Sequence, residues 1–173
     1  MPFTITSNTT TILLHAFTES CLWITFEHHP SHNKEFWMHR NRNLFISHSW
    51  SYGHAYDGLL NLLKKDFSFK FKNYSVPKES PIHGAGNDKQ LYEEIQSRIR
   101  FCEVVIILAG VYATYSKWIK KEIRISKVDF KKPLLAIRPR ASQKISSLVQ
   151  NNADRLVGWN TNSIVNAVRE LAP

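Results

Sequence analysis

The segment from Ser116 to Lys127 carries residue types that could do chemistry on a sugar. If the segment is helical, Trp118 and Glu122 lie four residues apart and share one face. Its other charged residues are all basic: Lys117, Lys120, Lys121, Arg124 and Lys127. A carboxylate beside a ribose can hydrogen-bond the sugar hydroxyls and stabilise an oxocarbenium-like transition state. Glu122 is therefore a candidate catalytic residue.

A structural role for the same residues is the competing interpretation. In that case Glu122 pairs with Lys120, Lys121 or Arg124, and Trp118 belongs to the hydrophobic core. The spacing alone leaves both interpretations open.

Further polar residues follow the predicted strands. In an open parallel sheet, ligands bind beyond the carboxyl ends of the strands. This rule selects three segments: His48 to Gly53, Pro77 to Asp88 and Gly110 to Ser116. The polar candidates are Ser47, His48, Ser49, Tyr52, His83, Tyr112, Thr114, Tyr115 and Ser116, and the aromatic ones that could stack on a ligand are Trp50 and Trp118. This mixture suits an aromatic, hydroxyl-rich ligand such as a nucleotide.

Several standard sites are excluded by the sequence. The P-loop pattern is missing, and the Gly84–Gly86 segment lacks the third glycine of a dinucleotide-binding turn. The first strand ends in Ser47 rather than in an acidic cluster, which argues against a phosphoacceptor aspartate. Two cysteines without a C-x-x-C pair, and scattered histidines, argue against a metal site and a disulfide framework.

Length and composition bound the class of protein. The 173 residues suffice for one domain, and 43% hydrophobic with 21% charged residues is near the globular average. The most apolar early window, Thr11 to Phe26, is too short and too polar to span a bilayer. It is a poor signal peptide, because no positive residue precedes it and no small-x-small cleavage site follows. We therefore expect a cytoplasmic protein without a membrane partner.

The chain changes character near residue 40. Residues 1–40 show no helical or strand period, and we expect them to form a weakly ordered arm of unknown role, or an over-extended translation start before Met38. Residues 41–173 show a regular alternation. The predicted strands are Leu44–Ser47, Phe67–Val76, Val104–Ala109, Leu134–Ile137 and Leu156–Trp159. The predicted helices are His54–Asp66, Lys89–Arg100, Ser116–Val128, Ile145–Gln150 and Ser163–Leu171, the last capped by Asn160 or Thr161. Such alternation predicts an α/β domain with a parallel sheet covered on both faces.

Three segments in this order resemble a known family. Phe45 to Ser49 resembles the first signature box of TIR domains, and Ser116 to Ile123 resembles their S-x-W-x-x-x-E segment. The tail from Ala153 to Asn160, followed by Ser163 to Val165, is similar to that of bacterial and archaeal TIR-like proteins, which include the TIR-like subunit of the Thoeris anti-phage system. The resemblance spans about residues 42–172. It implies a flavodoxin-like, three-layer fold with a five-stranded parallel sheet in the order 2-1-3-4-5.

The resemblance also implies an activity and a site. Active members cleave NAD at the nicotinamide–ribose bond, and Thoeris members cyclise ADP-ribose into a signal for a partner effector, with NAD as substrate and no cofactor. By position, Glu122 is the catalytic residue. Phe45, Ser47 and His48 line the pocket floor, Trp118 buttresses Glu122, and the segment 77–88 is a movable wall. One departure is Ile119, which stands where the family usually has cysteine.

Two non-enzymatic functions remain as alternatives. The domain could bind a nucleotide, itself or other TIR-like domains without catalysing a reaction. It could also bind nucleic acid, because the formal net charge is +9 and the basic excess lies after residue 40. Nucleic acid is the least favoured partner, since the sequence has no helix-turn-helix signal and little interleaving of aromatic with basic residues.

Overall fold

Strands and helices alternate along the computed structural model, which describes residues 40–47, 53–76, 88–110, 117–140 and 144–173. The strands are β1 (Asn41–Ser47), β2 (Lys70–Asn73), β3 (Val104–Leu108), β4 (Leu134–Ile137) and β5 (Arg155–Val157). The helices are α1 (Gly53–Lys64), α2 (Asp88–Ile99), α3 (Lys117–Arg124), α4 (Ser147–Asn152) and α5 (Thr161–Leu171). A π-helical turn, Ile125–Asp129, extends α3.

The five strands form one parallel sheet in the order β2-β1-β3-β4-β5. This confirms the predicted fold class and strand order. The strand order reverses between β1 and β3, where the register places Ser47 beside Ile107. The carboxyl ends of these two central strands therefore meet at the point where α/β sheets commonly bind ligands.

Both faces of the sheet are buried, because successive side chains of a strand point to opposite faces. One core joins the sheet to α1 and α5, and its strand residues are Leu44, Ile46, Val104, Ile106, Leu135 and Ile137. The other joins the sheet to α2, α3 and α4, and its strand residues are Phe45, Val105, Ile107, Leu134 and Ala136. Ser47, two residues after Phe45, shares the face that α3 covers.

The ends of β2 differ from the prediction. The strand does not begin at Phe67, because the Asp66 carboxylate accepts hydrogen bonds from the Ser68 amide (2.9 Å) and hydroxyl (2.6 Å) and holds that segment in a turn. It does not extend to Val76, because the Asn73 side chain accepts a hydrogen bond from the Ser75 amide (3.0 Å). The predicted cap of the last helix is confirmed, since Asn160 Oδ1 accepts from the Ser163 amide.

The predicted division near residue 40 stays a prediction, since residues 1–39 lie outside the described residues. None of the helices in the described ranges is long and apolar enough to cross a membrane.

Candidate active site

The candidate site begins at the carboxyl end of β1. Ser47 is its last residue and is 3% exposed. Because Phe45 packs into the core beneath α3, the alternation of the strand points the Ser47 side chain toward the same helix. A small hydroxyl side chain thus lies under α3 at the strand end where a ligand is expected.

Glu122 faces this hydroxyl from α3. Ile119 and Ile123 bury one side of the helix in the core, which carries Glu122 down onto the sheet with only 6% of its surface exposed. The Ser47 hydroxyl donates a hydrogen bond to Oε2 of Glu122. The structure therefore brings into contact two residues that the sequence named as candidates for one site.

The environment of Glu122 favours its protonated form. Burial raises the pKa of the carboxyl group to about 7, and the hydrogen bond from Ser47 opposes the shift without cancelling it. The interpretation that neighbouring lysines neutralise Glu122 is wrong for Lys121, whose ammonium lies 3.1 Å from the Asp88 carboxylate. Lys120 and Arg124 are exposed on the helix. A carboxyl group with a pKa near neutrality can gain or lose a proton at working pH.

The π-helical turn fixes the helix that carries Glu122. The Ser126 hydroxyl donates to the backbone carbonyl of Glu122 (2.6 Å), and the Lys127 ammonium contacts both carboxylate oxygens of Asp154 at 2.7 and 2.8 Å. Asp129 accepts a hydrogen bond from the Tyr92 hydroxyl of α2 (2.5 Å). Turns of this type are frequent next to functional sites. The contacts of Lys127 with Asp154 and of Tyr92 with Asp129 were not identified from the sequence, because they join segments that are distant in sequence.

A second hydrogen-bonded group anchors the chain beside the site. The Ser75 hydroxyl accepts from the Ile46 amide (2.9 Å) and donates to Asn73 Oδ1 (2.6 Å). The Asn73 amide in turn donates to the Tyr56 hydroxyl of α1 (2.6 Å). The segment that was predicted to form a movable wall therefore follows directly on a stem that is tied to β1 and α1.

The remaining predicted residues divide into two groups. Phe45 is 1% exposed in the core below Ser47, and Trp118 is half-buried against the same core. The residues His48, Ser49, Trp50, His83, Tyr112 and Ser116 lie outside the described ranges, so their roles stay predictions. Within those ranges no group of three potential metal ligands occurs.

Comparison with known proteins gives one family match. No curated protein matches the chain. Among solved structures, the Clostridium botulinum CMP N-glycosidase BcmB is similar at 11% identity and a TM-score of 0.45, over 73% of this chain and 97% of that chain. The family described as Thoeris protein ThsB, TIR-like domain, matches residues 45–144, which include both Ser47 and Glu122. This protein belongs to the Thoeris ThsB TIR-like domain family.

Proposed function

We propose that this protein cleaves the N-glycosidic bond between nicotinamide and ribose in NAD, with Glu122 as the catalytic residue. The observation that carries the proposal is the buried Glu122 carboxyl group, hydrogen-bonded by Ser47 at the carboxyl end of a central strand. Membership of a TIR-like family supports it. A buried acid at this position costs stability, so a functional reason for it is expected.

In the proposed reaction, the ionised carboxylate of Glu122 is the active form. When the bond between C1′ of the ribose and the pyridine nitrogen breaks, its electron pair leaves with nicotinamide, which departs neutral and needs no proton. Positive charge develops on the ribose. A carboxylate near the ribose stabilises that charge, and the low polarity around Glu122 strengthens the interaction.

The fate of the ribose cation decides the product. Addition of water to C1′, with loss of one proton, yields ADP-ribose. Attack by a nucleophilic atom of the ADP-ribose itself, again with loss of one proton, yields a cyclic product. We propose cyclisation into a signal molecule for a downstream effector as the outcome in anti-phage defence, and the nucleotide product distinguishes it from hydrolysis.

The test measures nicotinamide release from NAD by chromatography. The full chain is assayed in the presence of a crowding agent that promotes self-association. We expect Glu122→Gln to reduce the rate by about 10²-fold or more, as removal of a group that stabilises transition-state charge does. Glu93→Gln is the matched control, because Glu93 is an exposed glutamate on α2. Equal rates in the parent and in Glu122→Gln would remove Glu122 from the mechanism. No release from either would favour the non-catalytic binding module.

A further inference from the structure

Strand β2 presents an edge of the sheet. In the part of the chain that the structure describes, β2 pairs with β1 alone, through Lys70 to Asn73. Its other side carries backbone N–H and C=O groups that face outward. Such an edge is a template for an added strand, and natural proteins either block it or use it.

A groove lies along this edge, between α1 and β2. Its volume is about 410 Å³, and Leu60, Phe67 and Phe71 are among the residues that line it. Phe67 is 88% exposed, and the rings of Phe69 and Phe71 stack at 5.8 Å. The phenylalanine and leucine side chains therefore give the groove an apolar part that large side chains of a neighbouring strand could enter.

Exposed lysines lie at the groove and along β2. Lys64 and Lys70 line it, and Lys72 follows on the same strand; all three are exposed. Across the described ranges, no carboxylate forms an ion pair with any of the three lysines. The acid of the groove, Asp66, is already paired with Arg169 (3.3 Å) and Ser68. The edge consequently offers cationic groups that a partner could neutralise.

The two faces of β2 differ in the chemistry they offer. Phe69 and Phe71 point to the α1 face and join its core, whereas Lys72 lies over the Tyr74 ring (5.0 Å) on the opposite face, which it shares with Lys70. A strand added to this edge would also alternate, so its side chains would meet phenylalanine on one face and lysine on the other.

We propose that the β2 edge binds an extended segment of a partner protein in which apolar and acidic residues alternate. The apolar side chains occupy the groove beside Phe67 and Phe71, the carboxylates pair with Lys70 and Lys72, and backbone hydrogen bonds to β2 extend the sheet. A second copy of the same edge is the wrong occupant, because it would bring lysine against lysine. The proposal concerns a surface separate from Glu122 and does not depend on NAD cleavage.

The test is a titration of the ¹⁵N-labelled full chain with a capped peptide of alternating glutamate and phenylalanine. We expect saturable shifts of the amides of Lys70 to Asn73, with a Kd of about 1 mM, as befits a short unstructured segment. A peptide with lysine in place of glutamate should not bind. A peptide N-methylated on the amides that face β2 should lose binding, because it lacks the donors for the added strand.

Two variants complete the test. Lys70→Glu should weaken binding roughly fivefold, while Lys131→Glu, the same charge change at an exposed lysine away from the edge, should leave the affinity unchanged. The proposal is overturned if the acidic peptide does not bind at millimolar concentration, or if both variants weaken it equally. Preferential binding of oligothymidylate to the same amides would also overturn it, in favour of phosphate recognition.

Discussion

Asp154 and Glu122 are two acids at opposite ends of the strands of one sheet. Their surroundings shift their pKa values in opposite directions. Asp154 precedes β5 at the amino-terminal edge, where its carboxylate accepts from the Lys127 ammonium and from the Leu134 amide (2.7 Å). Burial alone would raise the pKa of Asp154, but the hydrogen bonds and charge of Lys127, together with that amide, hold it below its ordinary value. Burial of Glu122, with one hydroxyl as its described partner, raises its pKa.

Arg42 extends the comparison at the amino-terminal edge. Its side chain is 1% exposed, and its guanidinium donates to the carbonyls of Ala172 (3.1 Å) and Arg40 (3.2 Å). Burial lowers the pKa of Arg42, and the nearby Glu103 opposes the shift. Arg42 thus ties β1 to the end of α5, and Asp154 ties β4 to the π-helical turn. The difference teaches that a charged group with several partners holds the fold, whereas a buried acid with few partners marks the candidate site.

The largest expected effect is loss of the Arg42 guanidinium. Arg42→Ala should lower the free energy of unfolding by about 4 kcal/mol, because it leaves the Ala172 carbonyl without its donor and empties a buried volume. Urea denaturation, monitored by circular dichroism, measures the change in the free energy of unfolding. Arg138→Ala, at an exposed arginine, should change stability by no more than about 0.5 kcal/mol. Equal losses of stability in the two variants would show that the Arg42 guanidinium has no special role in stabilising the fold.

Removing the ionisable group of Glu122 should have the opposite effect to Arg42→Ala and should increase stability. The unfolded carboxyl ionises near pH 4.5 and the folded one near pH 7, so the unfolded state releases its proton first. The parent therefore loses stability as pH rises from about 4.5 to about 7. Glu122→Gln has no such titration, and its stability relative to the parent should increase over this window to about 3 kcal/mol at pH 8.

The measurement is thermal or urea unfolding of both proteins from pH 4 to pH 8. Only the difference between the two proteins matters, since the other titrating groups contribute equally to both. A difference that stays constant with pH would show that Glu122 is not a carboxyl group of raised pKa. Together with the loss of nicotinamide release, a gain in stability would describe a residue kept for activity at a cost to the fold.

The sequence predicted most of the fold but less of its detail. The β-branched run from Val104 to Ala109 identifies a buried strand, because few other structures bury such a run. The ends of β2 were wrong, since the side chains of Asp66 and Asn73 close turns that hydropathy does not register. The π-helical turn after Arg124 was also missed, because its contacts with Asp154 join segments that are distant in sequence.

The residues of the site and their placement in one pocket were predicted, but the contacts between them were not. Spacing and resemblance named Ser47 and Glu122 as candidates, but their hydrogen bond depends on how α3 docks on β1. The pKa of Glu122 depends on its burial. Lys121 is not available to pair with Glu122, because it pairs with Asp88 at the start of α2. These are tertiary facts, which no local pattern of the helix contains.

Two serines provide a finer test of the site. Ser47→Ala removes the hydrogen bond to the Glu122 carboxyl and should raise its pKa further. Ser126→Ala removes a hydrogen bond to the Glu122 backbone carbonyl and should leave that pKa unchanged. Each variant should lose about 1 kcal/mol of stability, so stability alone does not separate them.

The pH dependence of kcat/KM for nicotinamide release separates them, because it reports the pKa of the free enzyme. If the carboxylate is the active form, the parent rate should rise through about pH 7. The rise should move to higher pH in Ser47→Ala and stay in place in Ser126→Ala. In kcat the rise should lie at lower pH, because the positive pyridinium of bound NAD favours the ionised carboxylate. A rate that falls over this range would assign the protonated form instead.

The smallest expected effect concerns Asp154, and its pH dependence should be the reverse of that at Glu122. Asp154→Asn keeps an acceptor for the Leu134 amide but loses the charge that Lys127 contacts. Because both side chains are about one-third exposed, the loss should not exceed about 1 kcal/mol at pH 7. The pKa of Asp154 is lowered on folding, so the parent's advantage should be present above the unfolded value of 3.8 and disappear as pH falls through the folded one. Unfolding of both proteins in urea from pH 7 down to pH 2 measures it. An advantage that persists at the acid end would show that the amide substitution disturbs packing, and the contrast between the two edges would then rest on Glu122 and Arg42.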